Sequence, residues 1–111
     1  MNDRIVVIIG TGEVGKAQAG AMYAVNSLKH GWMADVKLFF FGPAEALLLE
    51  DPDLQELVHE FQRQERTPVA CRFIADHEKT SDRLAELGVA VEYVGEQISD
   101  LIKDGYVPLV W

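Results

Sequence analysis

The sequence holds one cysteine, Cys71, in 111 residues. Without a second thiol, the monomer forms no internal disulfide and no cysteine-only metal site. Histidine is also scarce: His30, His59 and His77 stand apart, and no spacing among them suits a metal ligand set. Lys and Arg number 10 against 18 acidic residues, giving a net charge of −8. That balance opposes binding to a phosphate backbone, and there is no basic stripe to offset it. Missing too is any apolar run near the ~20 residues needed to cross a bilayer. The start, Met1-Asn2-Asp3-Arg4, lacks the form of a secretory leader. One unpaired cysteine suits a reducing compartment, so the expected location is the cytoplasm. Repeats, linkers and low-complexity segments are absent, and the length suits one domain over residues 1–111.

What is present is an alternation of apolar runs with amphipathic stretches, the pattern of a parallel α/β sheet. Ile5–Ile9 is a continuous β-branched run, as expected of a strand covered on both faces. Residues 15–30 place Ala17, Ala21, Ala24, Val25 and Leu28 on one helical face, with Gly31 as the stop. Val36–Phe41 reads as a second strand ended by Gly42-Pro43, followed by a short apolar helix over Ala44–Leu49. Asp51-Pro52 then resembles a helix cap, and Leu54, Leu57, Val58 and Phe61 keep helical spacing. Val69–Phe73 is the third predicted strand, and a third main helix falls within Asp76–Leu87 before Gly88. A fourth strand is expected over 89–94, then a helix using Ile98, Leu101 and Ile102, with Gly105 as its stop. The residues from Val107 to Trp111 read as a fifth strand that Pro108, lacking an N–H, leaves at an edge or only half formed. The expected fold is a three-layer α/β/α sandwich on a mainly parallel five-stranded sheet.

Gly10-Thr11-Gly12-Glu13-Val14-Gly15-Lys16-Ala17 follows a strand and opens a helix. It fits the G-x-G-x-x-G dinucleotide fingerprint at its glycines. However, the second strand ends Phe40-Phe41-Gly42, without the acidic residue that would hold a ribose. As a phosphate-binding G-x-x-x-x-G-K-[ST] loop it has Ala17 where a magnesium-binding hydroxyl belongs. Two readings stay open: a tight strand-to-helix turn, or an anion rest formed by Gly10, Thr11, Gly12, Glu13, Val14 and Gly15. In a parallel sheet this loop and the end of the cysteine strand share the carboxyl edge, where ligands usually bind.

Free cysteine is often simply buried. It becomes a nucleophile when cations or a helix N-terminus favour the thiolate, and Arg72 and His77 are the nearest candidates for that role. Phe39-Phe40-Phe41 and Leu47-Leu48-Leu49 read as core, with any exposed part an oligomer contact. Trp32 and Trp111 suit either an interface or a buried edge.

The whole chain resembles the DsrE/DsrF-like family of small α/β proteins, which includes sulfur-relay subunits. The resemblance lies in order and spacing. Ile5-Val6-Val7-Ile8-Ile9-Gly10 leads into a helix with Ala19-Gly20-Ala21-Met22-Tyr23-Ala24, and then come Val36 to Pro43 and Val69-Ala70-Cys71. The tail from Gly88 to Val94, with Gly105-Tyr106-Val107-Pro108-Leu109, completes it. The resemblance implies trimers or hexamers, no cofactor, and a cysteine after the third strand that carries sulfur as a persulfide between donor and acceptor proteins. Cys71 occupies that place. The rival reading is a non-catalytic oligomeric binding module whose glycine loop holds an anion or nucleotide.

Overall fold

The computed structural model describes residues 2–111. Five strands, β1 (Arg4–Ile9), β2 (Asp35–Phe40), β3 (Val69–Cys71), β4 (Ala90–Glu92) and β5 (Val107–Val110), form one sheet in the order β4-β3-β2-β1-β5. Every pairing is parallel. The helices are α1 (Val14–Lys29), α2 (Pro43–Glu50), α3 (Pro52–Arg63), α4 (Arg72–Glu78), α5 (Ser81–Glu86) and α6 (Gly95–Lys103). The fold is the expected three-layer sandwich.

Strand alternation sorts the side chains between two cores. Ile5, Val7, Ile9, Val36, Leu38, Phe40, Ala70 and Val91 face the larger one, which α1, α2, α3 and α5 cover. Val6, Phe39 and Cys71 face the smaller one, with Val94 and Tyr106, under Ile74, Ile98 and Leu101. Fully burying a side chain such as Phe40 stabilises the fold by roughly 1.5–3 kcal/mol. On α1 the buried alanines let the helix lie close to the sheet. Gly20 marks the tightest approach, since a Cβ there would sit 2.5 Å from Ile9 Cδ1 and 2.8 Å from the Trp111 ring. Trp111 is thus a half-buried edge residue, its ring 5.9 Å from that of Tyr23, whereas Trp32 is exposed and stacked on His30.

Pro108 lies on an edge strand that pairs only with β1, as its missing N–H requires. Gly31, Gly88 and Gly105 take positive φ at the helix ends where stops were expected. Most boundaries shift by a residue or so, β4 is shorter than the expected 89–94, and two differences bear on the site. The third strand ends at Cys71, and Arg72 and Phe73 already belong to α4. The single helix expected before Gly88 is broken into α4 and α5 at Lys79, which adopts the left-handed conformation at φ 59. Thr80 stitches the break: its N–H donates to the Ala75 carbonyl at 2.8 Å, and its hydroxyl donates there at 3.4 Å.

Candidate functional site at the end of the third strand

Cys71 is the last residue of β3 and the residue that precedes the first turn of α4. Its side chain lies in the smaller core and is 6% exposed. The register sets Phe40 beside Ala70 and Cys71 beside Glu92, so Phe41 follows the end of β2 level with Cys71, and Tyr93 follows the end of β4 one residue further on. Phe41 is 39% exposed, Phe73 68% and Tyr93 67%. Three exposed aromatic residues therefore lie on the segments that leave β2, β3 and β4, next in the chain to an almost covered thiol and its neighbouring strand ends.

Neither neighbour named as a thiolate partner is directed to the sulfur by a hydrogen bond. The Arg72 guanidinium donates to the Val91 carbonyl at 2.6 Å and lies 3.9 Å from Asp76. His77 is exposed near the end of α4. The glycine loop does share the carboxyl edge with Cys71, but β2 lies between them, so the separation is two strand spacings, roughly 10 Å. Within the loop, the Gly10 and Thr11 amides donate to the Trp111 carbonyl at 2.7 and 3.2 Å, and the Glu13 amide donates to Thr11 Oγ1 at 3.0 Å. The Gly12, Val14 and Gly15 amides are not among these donors. Glu13 Oε1 lies 3.0 Å from the point a Gly15 Cβ would occupy, which puts a carboxylate of the chain at this helix end.

A residue that sequence reasoning passed over lies near the Cys71 backbone amide. Glu45, on the first turn of α2, is 1% exposed. Its Oε2 accepts from the Gly42 N–H at 3.3 Å, the side-chain half of a capping box whose other half glycine cannot supply. Its Oε1 is buried without a hydrogen-bond partner. Desolvation pushes this carboxyl up to about 7, reinforced by Glu78 and opposed by the Gly42 and Cys71 amides. The pattern Gly42-x-x-Glu45 was the available signal, though it says nothing of burial.

On the opposite, amino-terminal side of the sheet, Asp35 accepts from the Tyr106 hydroxyl at 2.5 Å and from Arg66 Nε at 3.0 Å, with Lys37 at 3.4 Å. Burial acts to raise this carboxyl, but the Tyr106, Lys37 and Arg66 contacts outweigh it and hold Asp35 below its usual range. Arg4 lies over the Tyr106 ring, 4.6 Å from its centroid. A groove of about 580 Å³ opens between β2, β3 and α6, lined in part by Lys37, Phe39, Arg66, Val69, Gln97 and Asp100; Cys71 is not on its wall. Among the described residues no cluster of His, Cys, Asp or Glu suits a metal, and no helix is long and apolar enough to cross a membrane.

These features define a class: a three-layer α/β/α domain with an all-parallel sheet and one cysteine ending the third strand. No protein-family model matches the chain, and neither does any curated protein sequence. Solved structures do share its fold. A conserved protein of unknown function, BT1422 from Bacteroides thetaiotaomicron, superposes with a TM-score of 0.89 at 24% identity, covering 99% of this chain and 96% of that one. The ychN protein from E. coli superposes with a TM-score of 0.72 at 14% identity, covering 97% and 99%.

Proposed function

We propose that the protein is a sulfur carrier in which Cys71 accepts sulfur as a persulfide from one protein and passes it to another. The observation that carries this reading is that Phe41, Phe73 and Tyr93, on the segments that leave β2, β3 and β4, are all exposed beside the strand end that holds Cys71. A relay thiol has to be shielded from water yet approached by a partner, and exposed aromatic side chains are what a transient partner would cover. The resemblance to DsrE/DsrF-like proteins and the fold shared with ychN support the same reading.

The exchange needs no oxidant. The Cys71 thiolate attacks the outer sulfur of a donor persulfide, a new S–S bond forms, and the donor thiolate leaves with the electrons of the broken bond. At 6% exposure the sulfur reacts only when α4, seven residues long, yields to the incoming partner. Self-assembly into trimers or hexamers is part of the proposal, and Trp32 and Val110, 57% and 70% exposed, are the surface it would cover.

The test is intact mass after incubation with a cysteine desulfurase and free cysteine, with Cys71→Ser in parallel. A gain of one sulfur atom, reversed by reductant and absent from the variant, is the expected result. No gain, with Cys71 also silent to alkylation until denaturant is added, overturns it. That outcome favours the second reading, a binding module, for which the groove between β2, β3 and α6 is the specific observation.

A further inference from the structure

The groove between β2, β3 and α6 owes its existence to a step in the sheet. β2 begins at Asp35, but its pairing with β3 starts only at Phe39, opposite Val69. From Asp35 to Leu38 the strand therefore has a neighbour on the β1 side alone. Phe61 of the larger core lines the groove beside Phe39 of the smaller one, so the opening enters the sheet where β3 is missing. α6, which has no fully buried residue, stands over this step as the far wall. The two walls carry opposite charge. On the strand side Lys37 and Arg66 share one counter-ion, Asp35, at 3.4 and 3.0 Å, which leaves a positive charge uncompensated. On the helix side Gln97, Asp100, Leu101 and Asp104 follow the i, i+3, i+4, i+7 spacing of a single face. Asp104 is paired with Arg4 at 3.2 Å, whereas among the described residues no ion pair or hydrogen bond holds the Asp100 carboxylate, so here a negative charge is left over.

We propose that this groove binds a short zwitterionic peptide, its carboxylate held by Lys37 and Arg66, its ammonium by Asp100, and an apolar side chain lying between them on Val69 and Leu101. Asp35 already holds both cations in place, so little side-chain order is lost when a carboxylate arrives. The Gln97 amide nitrogen is committed to Glu92 at 3.0 Å and to the Tyr93 carbonyl at 3.2 Å, which leaves its side-chain oxygen to accept a peptide N–H. A simple anion is opposed by Asp100, Asp104 and a net charge of −8. A simple cation is opposed by the spare charge of Lys37 and Arg66. A molecule with both ends satisfies each wall. At about 580 Å³ the space falls in the ordinary range for small-molecule sites, and a single amino acid would leave most of it empty, so two or three residues suit it best. The inference supplies a ligand for the groove on which the binding-module reading rests. It needs nothing from Cys71, which is not on this wall, and a sulfur carrier can possess the site equally well.

The probe is the dipeptide Leu-Leu, titrated into ¹⁵N-labelled protein up to about 10 mM, which saturates a site of millimolar Kd. Saturable NMR shifts are expected at the Val69 and Leu101 amides and at the Gln97 side-chain amide. N-acetyl-Leu-Leu and Leu-Leu-amide each lack one terminal charge and should bind about fivefold more weakly or worse. Asp100→Asn alters an exposed residue and leaves the fold intact. It should weaken Leu-Leu by about the same factor and leave N-acetyl-Leu-Leu unchanged. Lys37→Met should give the mirror result, weaker Leu-Leu with Leu-Leu-amide unchanged; if that variant fails to fold, the Asp100→Asn comparison decides alone. Equal affinity for the free and both blocked peptides overturns the proposal, as does Leu-Leu binding that ignores Asp100→Asn, and in either case the binding-module reading stands without its zwitterion. No shift at the groove with these peptides overturns the proposal too, and silence towards a fragment library as well removes the binding-module reading with it.

Discussion

Replacing Glu45 with glutamine makes a quantitative prediction about stability. The folded carboxyl titrates at about 7 against 4.5 for an unperturbed one. Between those values the folded chain holds a proton that the unfolded chain has released, so stability present below pH 4.5 is lost as pH rises through 7. At 1.36 kcal/mol per unit, the 2.5-unit difference amounts to about 3 kcal/mol. Glutamine keeps the size and can still accept from the Gly42 N–H, but has nothing to ionise. Glu45→Gln is therefore expected to match the wild type near pH 4.5 and to exceed it by up to about 3 kcal/mol at pH 8.5. With a urea m-value of about 1–3 kcal/mol/M, the midpoint rises by roughly 1 M or more at the higher pH. Urea denaturation of both proteins at the two pH values measures this directly. An equal midpoint difference at both values refutes the reasoning, because it would mean that Glu45 gives up its proton as easily folded as unfolded.

Other substitutions examine other parts of the structure. Gly20→Ala drives a Cβ into Ile9 and Trp111, and overpacking of about 2–3 kcal/mol outweighs up to about 1 kcal/mol of helix propensity, so thermal melts should show a lower Tm. Alanine in an open helix position would raise it. Gly88→Ala forces φ 81 on a residue with a Cβ that would lie 2.7 Å from Gln62 Nε2; a loss of about 1–2 kcal/mol in urea is expected. Tyr106→Phe removes a hydrogen bond to a charged group, worth about 1.5 kcal/mol at pH 7. Asp35 is held below its usual range, so its stabilising effect is present above the unfolded carboxylate value of 3.8 and fades as pH falls through the folded value. The Tyr106→Phe deficit in melting temperature should accordingly shrink at pH 2.

Local chemistry made much of this architecture legible from sequence. The β-branched run at Ile5–Ile9 encodes a strand covered on both sides, Pro108 an edge, and Gly31, Gly88 and Gly105 helix ends at positive φ. The break between α4 and α5 was not legible. Lys79 carries no glycine-like signal for a left-handed residue, and the Thr80 bonds to Ala75 that support it emerge only in the folded chain. Arg72 and Phe73 extend an apolar run and so read as strand, yet the sheet has already ended at Cys71. At the candidate site, Cys71 declared itself by being the sole thiol. Glu45 did not, because a glutamate at the start of a helix is ordinarily solvated and its burial depends on β3 and α4, which follow it by more than twenty residues. The Asp35–Tyr106 pair is hidden for the same reason, with 71 positions between its partners.

The pairing of β5 with β1 bears on how the protein is made. As the chain leaves the ribosome, β1 gains β2 early, but its other edge stays open until Val107–Val110 has been synthesised about a hundred residues later. Throughout that interval Ile5–Ile9 presents unpaired, highly apolar backbone, the kind of edge that recruits strands from other chains. The Trp111 carbonyl then takes the Gly10 and Thr11 amides, and its ring settles over Gly20, so the final strand acts as the latch that closes the nascent sheet. A chain halted before residue 107 is expected to aggregate rather than remain as a soluble, nearly complete domain.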